Sequence, residues 1–151
     1  GRKDYQQLKV IERMTRDLLL PVEVVGLKTL RDPDGLALSS RNAYLSPEER
    51  ARALGIARGL SAAVAAFESG ERLVGELRNA ALEHLTQAEL RLDYATIADA
   101  EALSPFADDA RIADRALFAI AGFVGKTRLI DNVVLGEDPA PIAAAKKLGA
   151  G

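Results

Sequence analysis

The sequence predicts an α/β fold in two parts: the last helix–strand unit of a parallel sheet, followed by a small α+β domain. Three observations predict it. First, apolar residues near the start recur at helical spacing and lead into a short apolar run. Second, two more stretches show helical spacing. Third, the spacing of apolar residues becomes strand-like after about residue 90. With 151 residues, 48% of them hydrophobic, the chain is long enough to bury a core.

The first helix is predicted from a cap and a repeat. Asp4 and Gln7 have the spacing of a helix cap and its return partner. Pro21 ends the helix, and residues 22–25 read as a short strand ending at Gly26. A helix leading into an apolar strand is the unit of a parallel sheet, and one unit cannot bury both faces of its strand, so we expect partner layers upstream. The apolar repeat consists of Leu8, Ile11, Met14 and Leu18.

Two further helices are predicted after a turn at residues 31–35, where we place a domain boundary. Ser46 and Glu49 form a capping-box pattern, with Pro47 at the first helical position. This helix is expected to stop at Gly70, and a second is expected over residues 71–87.

Three strands follow, over residues 90–97, 115–124 and 127–135. The last two are joined by Gly125-Lys126, a hairpin signal, so the sheet should be mainly antiparallel. Residues 31–136 therefore form the predicted α+β domain of two helices and three strands. The tail, residues 137–151, looks loose, with a possible short final helix.

Composition excludes several classes of function. A net charge of −2 and only 5% aromatic residues argue against nucleic-acid and anionic-membrane partners. The chain has no cysteine and one histidine, which excludes disulfides, thiolate nucleophiles and multi-histidine metal sites, and no protein metal site is predicted. No leader or membrane-spanning run is recognisable, so a cytoplasmic protein is expected.

The polar cluster at residues 1–7 has the groups needed to hold a nucleotide. Gly1 permits close approach of a ligand, Lys3 offers a mobile charge for a phosphate, and Asp4 offers an acceptor for ribose hydroxyls. Gln7, one turn into the helix, offers both a donor and an acceptor. The alternative is that Asp4 and Gln7 only cap the helix while Lys3 is solvated.

A second polar cluster lies at residues 38–42. Ser39, Ser40 and Arg41 place two hydroxyls beside a guanidinium, which suits the wrapping of a phosphate chain. Gly35 upstream is a hinge-like position that would let such a loop close. The alternative is an ordinary exposed loop, in which Ser and Arg are common.

Taken together, the two clusters and one later stretch resemble a known family. Residues 3–7, 34–42, 44–46 and 128–132 are similar to the pantothenate synthetase (pantoate–β-alanine ligase) family, and the resemblance runs from residue 1 to about 135. It implies that residues 1–30 are the C-terminal end of a Rossmann-like nucleotide-binding domain. Residues 31–136 would be its C-terminal lid domain.

The resemblance implies an ATP-dependent ligase with Mg²⁺ accompanying ATP. Pantoate would attack the α-phosphorus of ATP to give pantoyl adenylate, and β-alanine would then displace AMP. The resemblance also implies a homodimer as the full-length enzyme, acting on small molecules. By position, Lys3, Ser39, Ser40 and Arg41 would be catalytic and hold the ATP phosphates, the last three as the counterpart of the KMSKS loop of class I aminoacyl-tRNA synthetases. Gly1 and Asp4 would face the ribose, Leu30 would contact adenine through its backbone, and Gln7 would bind pantoate.

The chain resembles only the C-terminal half of that family. The family's histidine signature would lie upstream of residue 1, and Arg2 stands where members often carry Glu or Gln. We therefore expect the chain alone to bind ATP weakly and not to turn over. The alternatives are another adenylate-forming or nucleotidyl-transferring enzyme of the same superfamily, or a non-catalytic interaction module from residue 31 onward.

Overall fold

The computed structural model describes residues 1–143. Three α-helices and one sheet make up its regular structure, together with a short 3₁₀ helix over Ser40–Tyr44. In chain order the elements are α1 (Tyr5–Asp17), α2 (Pro47–Glu68), α3 (Val74–Gln87), β1 (Arg91–Ala98), β2 (Ala116–Val124) and β3 (Thr127–Leu135).

The predicted α+β fold of two helices and three strands is confirmed, and we call α2, α3 and the three strands the α+β unit. The sheet has the order β1-β2-β3, and both pairs of neighbours are antiparallel. Helices α2 and α3 cover one face, where Leu60, Leu77 and Phe118 are fully buried. Alternate residues point to the other face, where Leu117 and Val134 pack with Tyr5 of α1. The N-terminal helix therefore docks on the face that α2 and α3 leave open.

Helix boundaries follow local capping. The side chains and backbones of Ser46 and Glu49 form the reciprocal capping box at the start of α2. Gly70 adopts a φ of +107° just beyond the end of α2, as predicted for its stop. Helix α3 begins at Val74 and not at the predicted residue 71, because the Glu71 carboxylate accepts hydrogen bonds from the N–H groups of Arg72 and Leu73.

Close packing of α2 on α3 depends on a glycine inside α2. A Cβ added at Gly55 would lie 2.5 Å from the Ala88 Cβ and 3.0 Å from a Leu90 methyl. Glycine normally costs a helix about 1 kcal/mol relative to alanine. Its presence here is explained by the approach of the two helices.

We expect Gly55→Ala to destabilise the protein by about 1–3 kcal/mol, because the overpacking strain exceeds the gain in helix propensity. Urea unfolding would measure the change. The control is Arg58→Ala at an exposed position of the same helix, which should change the free energy of unfolding by less than about 0.5 kcal/mol. Stabilisation by Gly55→Ala would contradict the packing argument.

The predicted strand at residues 22–25 is wrong: these residues belong to no strand or helix. Strand structure requires a neighbouring backbone for its hydrogen bonds, and within residues 1–143 no strand lies alongside them. Val22 and Val25 are 59% and 64% exposed, so these apolar side chains of the segment face solvent. The segment is instead fixed at its end, where the N–H of Arg2 donates to the carbonyl of Leu27.

The beginning of the predicted loose tail is anchored. Arg2 forms salt bridges with Glu137 and Asp138, and the N–H of Ile142 donates to the Ser61 hydroxyl. Packing of this segment also explains why residue 35 is a glycine: its φ is +99°, and an added Cβ would lie 2.6 Å from the Ile142 side chain. The possible final helix falls beyond residue 143, outside the described residues. None of the helices in residues 1–143 has the length and apolarity needed to cross a bilayer.

Candidate functional site

Three chain segments meet to form the candidate site. The N–H of Leu38 donates to the carbonyl of Leu30 at 2.9 Å, which joins the second polar cluster to the segment that also binds Arg2. The ammonium Nζ of Lys3 lies 3.3 Å from the Leu38 carbonyl oxygen. Two clusters separated by more than thirty residues in sequence are thus side by side in the fold.

Residues 39–42 form a turn that is held by its own side chains. The Ser39 hydroxyl accepts from the N–H of Arg41 and caps the 3₁₀ helix. The Asn42 amide donates to the Ala37 carbonyl at 3.1 Å. The Arg41 guanidinium donates to the carbonyl of Arg128 on β3 at 3.0 Å, and Ser40 is exposed. The loop therefore presents a hydroxyl and a guanidinium while its backbone stays tied to the α+β unit.

The remaining predicted residues lie around this junction. Asp4 is exposed and caps α1, accepting from the N–H of Gln7 at 3.4 Å. Gln7 is exposed on the first turn of α1, and Gly1 is exposed beside it in sequence. Leu30 is 72% exposed, with its carbonyl used by Leu38. The capping alternative for Asp4 is thus realised, while its exposure leaves the second carboxylate oxygen accessible.

A buried ion pair underlies the site, and its partners were not singled out as site residues from the sequence. Arg31 donates to both carboxylate oxygens of Asp131, at 2.6 and 2.9 Å, and also to the carbonyl of Gly35. Asp131 is 4% exposed and Asn132 is 8% exposed. The available signal was two polar residues in the middle of the apolar strand pattern at residues 127–135. Their partner, Arg31, lies 100 residues away and carries no local signal.

The site has excess positive charge. Burial lowers the pKa of Lys3, and the guanidinium groups of Arg41 and Arg31 act in the same direction, against the carboxylates of Asp131 and Asp4. Burial likewise raises the pKa of Asp131, and the hydrogen bonds from Arg31 oppose this rise. Among residues 1–143, neither Lys3 nor Arg41 forms a salt bridge. Both cations are therefore available to an anion.

A cavity of about 270 Å³ opens beside Lys3. It separates the start of α1 from the open face of the sheet, and its polar lining includes Lys3, Asp4, Gln6, Tyr94 and Thr96. Lys3, the hydroxyl groups and the start of α1 around this cavity suit a polyanionic ligand such as a phosphate chain, while Arg41 lines a separate pocket. Within the part of the chain that the structure describes, no three His, Asp or Glu side chains gather as metal ligands.

Comparison with known proteins supports one family. The family model described as pantoate-beta-alanine ligase matches residues 1–134. A pantothenate synthetase of Myxococcus xanthus is 52% identical over 138 residues, covering 91% of this chain and 47% of the relative. A bifunctional pantoate ligase/cytidylate kinase of Synechococcus elongatus is 47% identical over the whole chain and 28% of the relative. The chain spans about half the length of the pantothenate synthetases that it matches.

Solved structures agree with this assignment. A pantothenate synthetase of Thermus thermophilus superposes with a TM-score of 0.80 at 48% identity, covering 88% of this chain and 47% of that one. A pantoate-beta-alanine ligase of Francisella tularensis, complexed with beta-gamma ATP and beta-alanine, gives a TM-score of 0.56 at 25% identity. That match covers 92% of this chain and 43% of the Francisella chain.

Proposed function

This chain belongs to the pantoate-beta-alanine ligase family, and we propose that its gene product condenses pantoate with β-alanine to form pantothenate, using ATP. The chemistry occurs in two steps. A carboxylate oxygen of pantoate attacks the α-phosphorus, the bond to the bridging oxygen breaks, and pyrophosphate leaves. The amine of β-alanine then attacks the acyl carbon of pantoyl adenylate, the bond from that carbon to the oxygen bridging it to phosphorus breaks, AMP departs with this oxygen, and the nitrogen loses a proton.

One observation supports this proposal most directly. Lys3 contacts the Leu38 carbonyl beside the Ser39–Arg41 loop, which brings Lys3 and Arg41, two cations that form no salt bridge within residues 1–143, to the same junction. Transfer at phosphorus requires mainly positioning and charge stabilisation, so such a pair suits the developing charge on the pyrophosphate. The solved Francisella ligase, which is complexed with beta-gamma ATP and beta-alanine, supports the same proposal.

The proposed roles are those that the family resemblance implies for these positions. Lys3, Ser39, Ser40 and Arg41 hold the triphosphate and are the catalytic residues. Asp4, whose carboxylate is exposed at the start of α1, accepts from the ribose, and Gly1 allows the ribose to approach. Leu30 contacts adenine through its backbone, and Gln7 binds pantoate from the first turn of α1. Mg²⁺ enters bound to the phosphates of ATP, whose oxygens are ligands of the kind that it prefers.

We also propose the domain division and the larger assembly. Residues 1–30 belong to the nucleotide-binding domain, residues 31–136 form the lid, and residues 137–151 form a tail. Further layers of the nucleotide-binding domain cover the exposed apolar residues of α1 and of the segment that follows it. The exposed set includes Val10, Met14, Leu18, Val22 and Val25. By family, the enzyme is a cytoplasmic homodimer. The 151-residue chain alone binds ATP weakly and completes no turnover, since it spans only about half of its relatives.

The test is pyrophosphate release by the gene product that carries this chain. With Mg²⁺ and ATP, release should require pantoate but not β-alanine, and addition of β-alanine should yield AMP and pantothenate, identified by mass spectrometry. Pyrophosphate release that is independent of pantoate would favour another adenylate-forming enzyme. Absence of both ATP binding and release would favour a non-catalytic interaction module.

The pH dependence of ATP binding follows from Lys3. Because burial lowers its pKa, the ammonium should lose its proton at a pH below the ordinary value of about 10.4, and the affinity for ATP should fall as the pH rises through that lowered pKa. Calorimetric titration between about pH 7 and pH 10 would measure this. The Lys3→Arg variant, whose guanidinium stays charged, should lose that alkaline decline. An identical decline in both proteins would exclude Lys3 as its cause.

A further inference from the structure

Strand β3 contacts both sides of the candidate site through three of its nine residues. The Asn132 side-chain amide donates to the backbone carbonyl of Lys3 at 2.6 Å. The Arg128 carbonyl accepts from Arg41 at 3.0 Å. The carboxylate of Asp131 binds Arg31, whose guanidinium also holds the Gly35 carbonyl at the base of the loop. Each contact joins residues at least 87 positions apart in sequence.

The contact with Lys3 is the most specific of the three. Asn132 lies on the open face of the sheet, and its side chain is buried against the residue that precedes the cap of α1. Because it binds the backbone of Lys3, it fixes where the Lys3 side chain begins, without using the ammonium itself. Tyr5 reinforces the same docking, since its hydroxyl donates to the Ala100 carbonyl at 2.9 Å.

We propose that β3 is a positioning strand that sets the separation between Lys3 and Arg41, with Asn132 as the positioning residue for Lys3. This inference rests on the proposed function. The α+β unit thus does more than cover the ligand: when it docks, the same strand places the cation on each side of the phosphate chain. The hydrogen bond from Asn132 to the Lys3 carbonyl is directional and partly buried, so loss of the donor lets the start of α1 shift.

The test compares Asn132→Asp with Val133→Ala in the gene product. Asn132→Asp keeps the shape of the side chain but replaces the donor with an oxygen. Val133 is 1% exposed on the same strand but packs on the opposite face, so its truncation reports general weakening of the unit. We expect Asn132→Asp to lower kcat for pantoate-dependent pyrophosphate release about 10- to 100-fold, as for a misplaced catalytic group, with a smaller change in KM. Val133→Ala should change kcat less than about threefold.

A second experiment distinguishes a positioning role of Asn132 from a purely structural one. In a Lys3→Ala background, Asn132→Asp should lower kcat no further, because no ammonium remains to be placed, whereas a purely structural effect would be multiplicative. An unchanged kcat in Asn132→Asp, or multiplicative effects, would overturn the proposal. Asn132→Ala, which also lacks the donor and carries no charge, repeats the comparison if the aspartate variant does not fold.

A third arm does not depend on turnover. Amide hydrogen exchange at residues 3–8 should become about tenfold faster in Asn132→Asp and stay unchanged in Val133→Ala. If the unaltered gene product releases no pyrophosphate, the proposed function fails while the exchange comparison still decides whether Asn132 positions Lys3. Equal exchange in both variants would overturn the inference even if the enzyme is active.

Discussion

Replacement of Lys3 by alanine in the gene product should slow pantoate-dependent pyrophosphate release about 100- to 1000-fold. The expected loss is that of one preorganised charge acting on developing negative charge in a partly desolvated site. Lys3 is half-buried and lies at the junction of the two clusters, so water replaces its ammonium poorly. Arg41→Ala should give a loss of similar size, because its guanidinium is the other cation at this junction that forms no salt bridge within residues 1–143.

Lys28→Ala is the matched control for that prediction. Lys28 is an exposed lysine of the segment that adjoins the site, and it lines a different pocket from those of Lys3 and Arg41. Single-turnover measurement of pyrophosphate release in the three variants would separate adenylate formation from later steps. Adenylation at the normal rate in both Lys3→Ala and Arg41→Ala would remove the site assignment, as would an equal loss in Lys28→Ala.

The helices and strands of the α+β unit could be predicted because each is marked locally. The capping box at Ser46 and the hairpin signal at Gly125-Lys126 depend only on neighbouring residues, and both elements form where expected. The prediction of a strand at residues 22–25 was wrong because a strand also depends on residues outside its own segment. Its composition suits a strand, but pairing requires a partner that a local pattern does not contain.

In the candidate site, too, local features could be predicted from the sequence and long-range contacts could not. Lys3 and the Ser39–Arg41 loop were identified from residue types and from the family resemblance. Asp131 and Asn132 were quoted only as part of a motif, and nothing local indicated that they contact Arg31 and Lys3. Long-range ion pairs and hydrogen bonds arise from the docking of segments, so residue spacing within one segment does not reveal them.

The largest effect on stability is expected from Arg31→Leu. The Asp131 carboxylate is 4% exposed and both of its oxygens accept from Arg31. Removal of one partner of a buried pair leaves an uncompensated charge and costs about 3–5 kcal/mol. Urea unfolding of the gene product would measure this. The control is Arg78→Leu, which breaks an exposed pair with Asp108 and should cost at most about 1 kcal/mol.

The pH dependence of the Arg31→Leu variant identifies the cause. Without the guanidinium, the folded-state pKa of Asp131 should rise further above its unfolded value, because burial already raises it. The folded state then holds a proton that the unfolded state has released, so stability falls as the pH rises from the unfolded pKa to the folded one. The loss should be smaller near about pH 4 than near about pH 7. A loss that does not change with pH would point to the missing packing of the Arg31 side chain instead.

A double variant, Arg31→Leu with Asp131→Leu, separates the effect of the ion pair on stability from its effect on the position of the Ser39–Arg41 loop. Two apolar side chains avoid the buried charge, so most of the lost free energy of unfolding should return. The Gly35 carbonyl would still lack its donor from Arg31, and the loop that carries Ser39 and Arg41 would keep only the Arg41–Arg128 contact with β3. We therefore expect a protein with nearly normal stability and slow pyrophosphate release. Recovery of both properties would mean that the ion pair serves only the fold.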